Sequence, residues 1–503
     1  MSDNSTDIKN KDSKTSSYRS IFKATSLFGG VQAYQILIGI IKSKFVAILL
    51  GPTGMGIQGL YQSAIQLIQN FSSLGLSQSA VRDVSEANGS GDSKRIGLTI
   101  AVVRRLVWIT GLLGLVATAV LSPVLSQTTF GNYDYTIPFI ILSVILLLDQ
   151  LSAGQRVVLQ GMRKLKYLAK STAIGSTVGL IVSIPLYYLF GVQGIVPTLI
   201  LNSLTMLCLT WYFSKKVEVE KVEVTNQQTF EKGRLMLKMG LAMSVTGILV
   251  TLKAYLLRGF IRYEGGVEQV GLFTAGFALI NTYVGMVFNA IATDYYPRLS
   301  AVNQDNAKCS EAINQQGEIA TLIIAPILVS CLILMPLIIR IIYSEDFLPA
   351  NDYIRWSVLG MMLKVFSWVI AFVFLAKAES KLFVINEVIT NVYSFGLSVA
   401  GYHFYNLDGV GIAFALTYLI YSIQVYLIAR KRYDFVFSAS FKKIYFVQML
   451  MVVAVFTMVL LWQSQWVYVP TGLLFAACSM YSLKELDKRM NVVKLIKKKL
   501  KIQ

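Results

Sequence analysis

Apolar runs of about 20 residues recur along the whole chain, and no other feature narrows its fold so much. A bilayer core about 30 Å thick is crossed by a helix of roughly that length. An outer-membrane barrel would instead show alternating segments of about 10 residues, which the sequence lacks. Of 503 residues, 55% are hydrophobic and 15% charged, whereas a soluble chain carries about a quarter charged. The expected fold class is therefore an all-α polytopic membrane protein.

The expected spans are 24–50, 56–77, 98–122, 136–157, 168–190, 194–214, 234–262, 269–294, 315–342, 350–376, 382–402, 409–430, 442–463 and 466–483, fourteen transmembrane helices in all. Loop charge orients them. The even connections are basic, with Arg82, Lys94 and Arg95, then Arg156, Arg163, Lys164 and Lys166, and later Arg430, Lys431 and Arg432. Odd connections such as "GPTGMG", "FGVQG" and "YNLD" hold no Lys or Arg; only Arg258, Arg262, Arg340 and Arg355 fall near one. By the positive-inside rule both termini are expected in the cytoplasm. The same distribution turns the formal charge of +19 away from nucleic acid as a partner. A polar tail at 1–20 reads as disordered and carries no signal peptide. The basic tail at 485–503 reads as resting on anionic lipid headgroups. Four scattered cysteines and a lone histidine, His403, indicate neither a disulfide frame nor a metal site, and no cofactor is expected.

A repeat is legible within the spans. Gly56 in "GPTGMGIQGLY" aligns with Gly271 in "YEGGVEQVGLFTAG", and Gly194 aligns with Gly409 at the same offset. Six spans separate the copies, an even number, so the halves are parallel and related by an axis along the membrane normal. This predicts a six-helix lobe at 21–214, a cytoplasmic linker at 215–233, a second lobe at 234–432 and an extra helical hairpin at 440–484.

Charges inside the spans are the candidate functional residues. Lys42 and Lys44 fall about 13 and 10 Å before the end of the first span near Gly51. A lysine near mid-membrane costs roughly 2.5–3.5 kcal/mol on insertion scales, so it calls for water, a partner or a ligand. Lys253 in the seventh span repeats the feature. Removing the offset places it at Ile38, one turn from Lys42 on the same face. These cations, with Arg258 farther along, would hold an anionic substrate. The plain alternatives are that Lys44 snorkels to headgroups and that the others find structural partners. Asp149, Lys364 and Glu387 are candidates for gating or ion coupling, or for structural pairs; Asp149 and Lys364 are mates across the repeat. The glutamines at 32, 35, 58, 62, 66 and 69 would line a polar cavity or join helices.

The stretch "AILLGPTGMGIQGLYQSAIQLIQNFSSLGLSQSAV" resembles the LGP-x-G-x-G signature of Wzx-type O-antigen and enterobacterial common antigen translocases. These belong to the multidrug/oligosaccharidyl-lipid/polysaccharide exporter superfamily. "LQGMRKLKYLAK" and "FGVQGIVPTLI" extend the resemblance over the twelve-helix unit. Fourteen spans are more similar to the lipid II flippase branch. The resemblance implies a non-enzymatic, monomeric flippase whose partners are membrane lipids and other polysaccharide-assembly proteins. Its substrate would be a polyprenyl (undecaprenyl) pyrophosphate-linked oligosaccharide, moved to the periplasmic leaflet by alternating access for O-antigen, capsule or exopolysaccharide assembly. Coupling to H+ or Na+ is expected, and the cations of the first and seventh spans would take the pyrophosphate. Two rivals remain from the residues alone. A drug or small-molecule antiporter would favour carboxylates in its cavity. A membrane polysaccharide polymerase would need acids or histidines on a sizeable outer loop.

Overall fold

The computed structural model describes residues 30–462 and 464–489, apart from the side chains at 242, 283 and 293. The tail expected at 1–20, and the part of the basic tail beyond Arg489, lie outside them. Among the described residues every regular element is a helix. In chain order these are α1 (Asn4–Ser73, described from Gly30), α2 (Leu76–Ser90), α3 (Ser93–Val120), α4 (Ser122–Phe130), α5 (Thr136–Gly161), α6 (Leu165–Phe190) and α7 (Ile195–Lys215). The second series is α8 (Asn226–Phe277), α9 (Gly285–Ala301), α10 (Asn306–Ile342), α11 (Ala350–Ala376), α12 (Ser380–Tyr433), α13 (Ala439–Leu461) and α14 (Tyr468–Met490).

Ten helical stretches among the described residues are long and apolar enough to cross a membrane. Four of them run 44 to 59 residues, about twice what one crossing needs. Each of the four is interrupted. Gly51 breaks α1, Gly266 breaks α8, Tyr405 and Asn406 break α12, and a short 3-10 turn at Gly191–Gly194 joins α6 to α7. The chain is a multi-pass membrane protein, and each expected span overlaps a helix.

The repeat is written into the backbone torsions. Gly51 (φ 64, ψ −171) and Gly266 (φ 82, ψ 176) stand at the repeat offset, in a region of backbone space open essentially to glycine alone. Gly191 (φ 53, ψ −130) and Asn406 (φ 50, ψ −133) form a second pair at that offset. Arg163 (φ 54) and Ala378 (φ 58) form a third. At this third pair the turns share one hydrogen bond: Lys164 N donates to Leu159 O at 2.8 Å, and Glu379 N to Phe374 O at 2.9 Å. Both are the six-to-one closure of a Schellman turn, built here on a left-handed residue that is not glycine. Asp92 and Asp305 cap α3 and α10, each accepting from the amides two and three residues on. Their separation falls just short of the repeat offset, a local slip of register.

The halves diverge just after the first break. In the first, Leu74 and Gly75 take left-handed torsions and end the helix. In the second, a π-helical segment, Ala278–Val284, carries it unbroken into α9. The first half also contains two helices where hydropathy alone predicts connections, α2 and α4. Neither is long enough to span. In α2, Leu76, Ala80, Val84 and Ala87 form one buried stripe at helical spacing, packed with Ile100, Val103, Val107 and Val157.

The chain divides into two compact units, Met1–Gly54 with Leu60–Tyr255, and Met55–Gly59 with Leu256–Gln503. Thus α8 starts in the first unit and ends in the second. Three contacts fasten its first part. The backbone of Gly240 abuts Gly75, where an added Cβ would stand 2.0 Å from the Gly240 carbonyl oxygen. Asn70 Nδ2 donates to Thr251 Oγ1 at 2.7 Å. The Tyr255 hydroxyl lies 2.8 and 2.9 Å from the Thr128 and Thr129 hydroxyls. The second unit is built on an aromatic core that includes Tyr295, Phe374, Phe435 and Phe441.

Candidate functional site

The first unit holds Lys42, Lys44, Lys253 and Asp149; the second holds Arg258, Lys364 and Glu387. Lys42 and Lys44 are half-buried on α1, nine and seven residues before its break. Lys253 is half-buried on α8, thirteen residues before Gly266, or about 20 Å at 1.5 Å per residue. Arg258 precedes that break by eight. Measured from the breaks, Arg258 takes the register place of Ser43, between Lys42 and Lys44, whereas Lys253 takes that of Ile38. An end of the seventh span placed at Tyr263 by hydropathy hides this, because the helix continues to Gly266.

Arg258 has its guanidinium over the rings of Phe273 and Phe277, at 5.7 and 5.8 Å, an arrangement that favours the cation electrostatically. Tyr353, fully buried, lies beside it and accepts a hydrogen bond from Asn281 Nδ2 at 3.3 Å. On the stretch between Leu60 and Ser73, Gln62 and Gln66 are exposed while Ser63 and Leu67 are buried.

Asp149 on α5 faces Ser203 of α7 and Arg156 of its own helix, two turns along. Arg156 Nη1 donates to Ser152 Oγ at 2.8 Å, and Ser152 Oγ lies 3.2 Å from Thr210 Oγ1. The carboxylate thus sits in a local network that contains its own cation. By loop charge alone Arg156 counts among the topology-setting residues. Its spacing of seven from Asp149, which puts both on one helical face, is the signal in the sequence for their meeting.

Lys364 and Glu387 come together in the second unit. They line a cavity of about 280 Å³ with Trp368, Phe372, Tyr418 and Tyr421. The Lys364 ammonium stands 5.2 Å from the Phe288 ring centre and 5.4 Å from that of Tyr418. The Tyr421 hydroxyl donates to Glu387 Oε1 at 3.4 Å. The break at Asn406 builds this site. It folds α12 back on itself, so Glu387 meets Tyr421 and Asn386 meets Gln424, while Gly401 meets Gly409 close to the turn. An amine, a carboxyl and two phenols in one aromatic-walled cavity are equipped to exchange a proton or a small cation. Neither phenol has a signal in the sequence.

Comparison with known proteins adds the family. A model described as "Polysaccharide biosynthesis protein" matches residues 45–352. A second, "Lipid II flippase MurJ", matches residues 275–477. The Lipid III flippase of Escherichia coli (strain K12) is 20% identical over 425 residues, which is 82% of this chain and all of that protein. In three dimensions the chain is similar to a multidrug resistance MATE transporter of the MOP superfamily in an inward-facing conformation. The TM-score is 0.69 at 16% identity, with 81% of this chain and 96% of the other covered. It is likewise similar to the lipid II flippase MurJ in an inward closed conformation, with a TM-score of 0.64, 14% identity, and 92% and 99% covered. The fold is that of these transporters.

Proposed function

The chain belongs to the polysaccharide biosynthesis protein family, and from that premise we propose that it flips a polyprenyl pyrophosphate-linked oligosaccharide from the cytoplasmic to the periplasmic leaflet. The observation that carries this reading is the set of half-buried lysines on two spanning helices, Lys42, Lys44 and Lys253, in a chain of this family. A pyrophosphate-sugar headgroup crosses hydrocarbon only if its lost hydration is replaced. The lysines answer the diphosphate charge, and the uncovered Gln62 and Gln66 suit hydroxyl-rich sugars. Arg258, five residues beyond Lys253, continues the cationic line. The lipid tail stays in the bilayer while the headgroup passes by alternating access. An inside-negative potential favours the outward step by about 2.3 kcal/mol per charge per 100 mV. Glu387 with Lys364 is the proposed coupling site, where a proton or sodium ion exchanges and returns the carrier. Both termini are cytoplasmic in this proposal, in the inner membrane, and the four interrupted helices each cross twice.

The test is lipid analysis and surface-glycan analysis of a deletion strain, complemented with wild-type protein or with Lys42→Gln/Lys253→Gln. Accumulated lipid-linked oligosaccharide and lost surface glycan, restored by wild type but not by an equally abundant double variant, is the expected result. Normal surface glycan with the double variant overturns the lysine assignment. Normal intermediates and glycan in the deletion strain overturn the flippase reading and favour export of a small molecule.

A further inference from the structure

A cavity of the first unit is lined by none of the candidate site residues above. About 710 Å³ opens between α3 and the first four turns of α8. Leu74, Leu106, Ile109, Phe230, Leu237 and Leu241 supply apolar wall, and Arg105, Arg234 and Lys238 supply three cations; no carboxylate lines it. Arg105 Nη1 donates to Asn226 Oδ1 at 3.2 Å and Thr229 Oγ1 at 3.3 Å, which ties α3 to the start of α8. Arg234 and Lys238 lie one turn apart on α8, are exposed, and make no ion pair among the described residues. Ile109, Phe230 and Leu241 are exposed too.

The level of this cavity is set by the spans around it. The helix α1 stops at Ser73, next to Leu74, and the apolar run of α8 begins only beyond Lys238, after Glu231, Lys232 and Arg234. The cavity is therefore at a membrane boundary, on the face that carries the basic loops. Uncovered apolar surface there asks for hydrocarbon, and three cations without an acid ask for an anion at headgroup depth. A free phosphate satisfies only the second requirement. A phospholipid with an anionic headgroup satisfies both.

We propose that this groove holds a resident anionic phospholipid, its acyl chain along Leu106, Phe230 and Leu237 and its phosphate at Arg105, Arg234 and Lys238. The lipid fastens the start of α8 to α3. It is distinct from the transported substrate, so the proposal stands whether or not the flippase reading does.

The experiment is native mass spectrometry of the full-length protein with phosphatidylglycerol, phosphatidylcholine or undecaprenyl phosphate. Wild type is expected to retain phosphatidylglycerol about tenfold or more over phosphatidylcholine, as two or three basic groups near a lipid headgroup imply. Arg234→Gln/Lys238→Gln is expected to lose that preference, whereas Arg430→Gln/Lys431→Gln, basic but elsewhere, keeps it. The exposed pair spares the Arg105 hydrogen bonds, so folding is preserved, and the lipid-free thermal midpoint checks this. Equal retention of both phospholipids by wild type overturns the proposal, as does equal loss in both variants. Displacement of phosphatidylglycerol by equimolar undecaprenyl phosphate assigns the groove to the carried lipid and overturns it too.

Discussion

Asp149 and Lys364 occupy equivalent places in the two halves, yet their surroundings have opposite character. In the first unit the charge is closed in: Arg156 and Ser203 answer the carboxylate, and Ser152 and Thr210 answer the arginine. In the second the charge opens on a cavity of about 280 Å³ shared with Glu387 and two phenols. Positive φ recurs at three pairs of positions across the repeat. Duplication thus kept the joints and let the interiors part. One interior has become a strut and the other a place where something can bind.

Removing the first unit's cation should hurt most. Arg156→Gln leaves a partly buried carboxylate without its answer, at about 3 kcal/mol, and folded yield and thermal midpoint should fall together. Asp149→Asn/Arg156→Gln should recover more than half of the loss. If the single variant is as stable as wild type, the strut reading fails. Next come the joints: Gly51→Ala and Gly266→Ala should each cost about 1–3 kcal/mol, read as comparable drops in detergent thermal midpoint. A large effect at one and none at the other would break the equivalence. Glu387→Gln should change stability by less than about 1 kcal/mol while removing the dependence of transport on a cation gradient in reconstituted vesicles. Retained dependence would return Glu387 to a structural role.

Two smaller effects sharpen the comparison. Ala378 bears left-handed torsions without being glycine. Ala378→Gly should therefore stabilise by about 0.5–1 kcal/mol, relief of strain outweighing added freedom in the unfolded chain. The amides of Lys308 and Ala307 hold the Asp305 carboxyl below the usual carboxylate range. A depressed folded value means that the cap's contribution is present above the ordinary carboxylate pKa and is lost as pH falls through the folded one. Asp305→Asn should flatten the acid limb of thermal midpoint against pH, and an unchanged limb would remove the cap from the account.

The spans are legible because hydrocarbon thickness dictates length, and length survives in composition. The repeat is legible where glycine is forced, by close approach of backbone at Gly194 and Gly409 and by torsion at Gly51. The helix α2 is not, because its polar face masks the narrow stripe of residues that it buries. Arg156 is hidden because an arginine near a loop reports topology first. Tyr421 reaches Glu387 only through the register that Asn406 imposes on α12, and no local pattern encodes a meeting between the two arms of a folded helix. Lys42, Lys44 and Lys253 stand out for the reason Arg156 does not: they interrupt apolar runs.

The joints carry a lesson for genetics. Gly51 and Gly266 adopt torsions that only an achiral residue accepts readily, so missense change at either codon should lower the amount of folded protein several-fold. Asn406, which stands where the first half has Gly191, shows that the second joint accepts a side chain at nearly the same torsions.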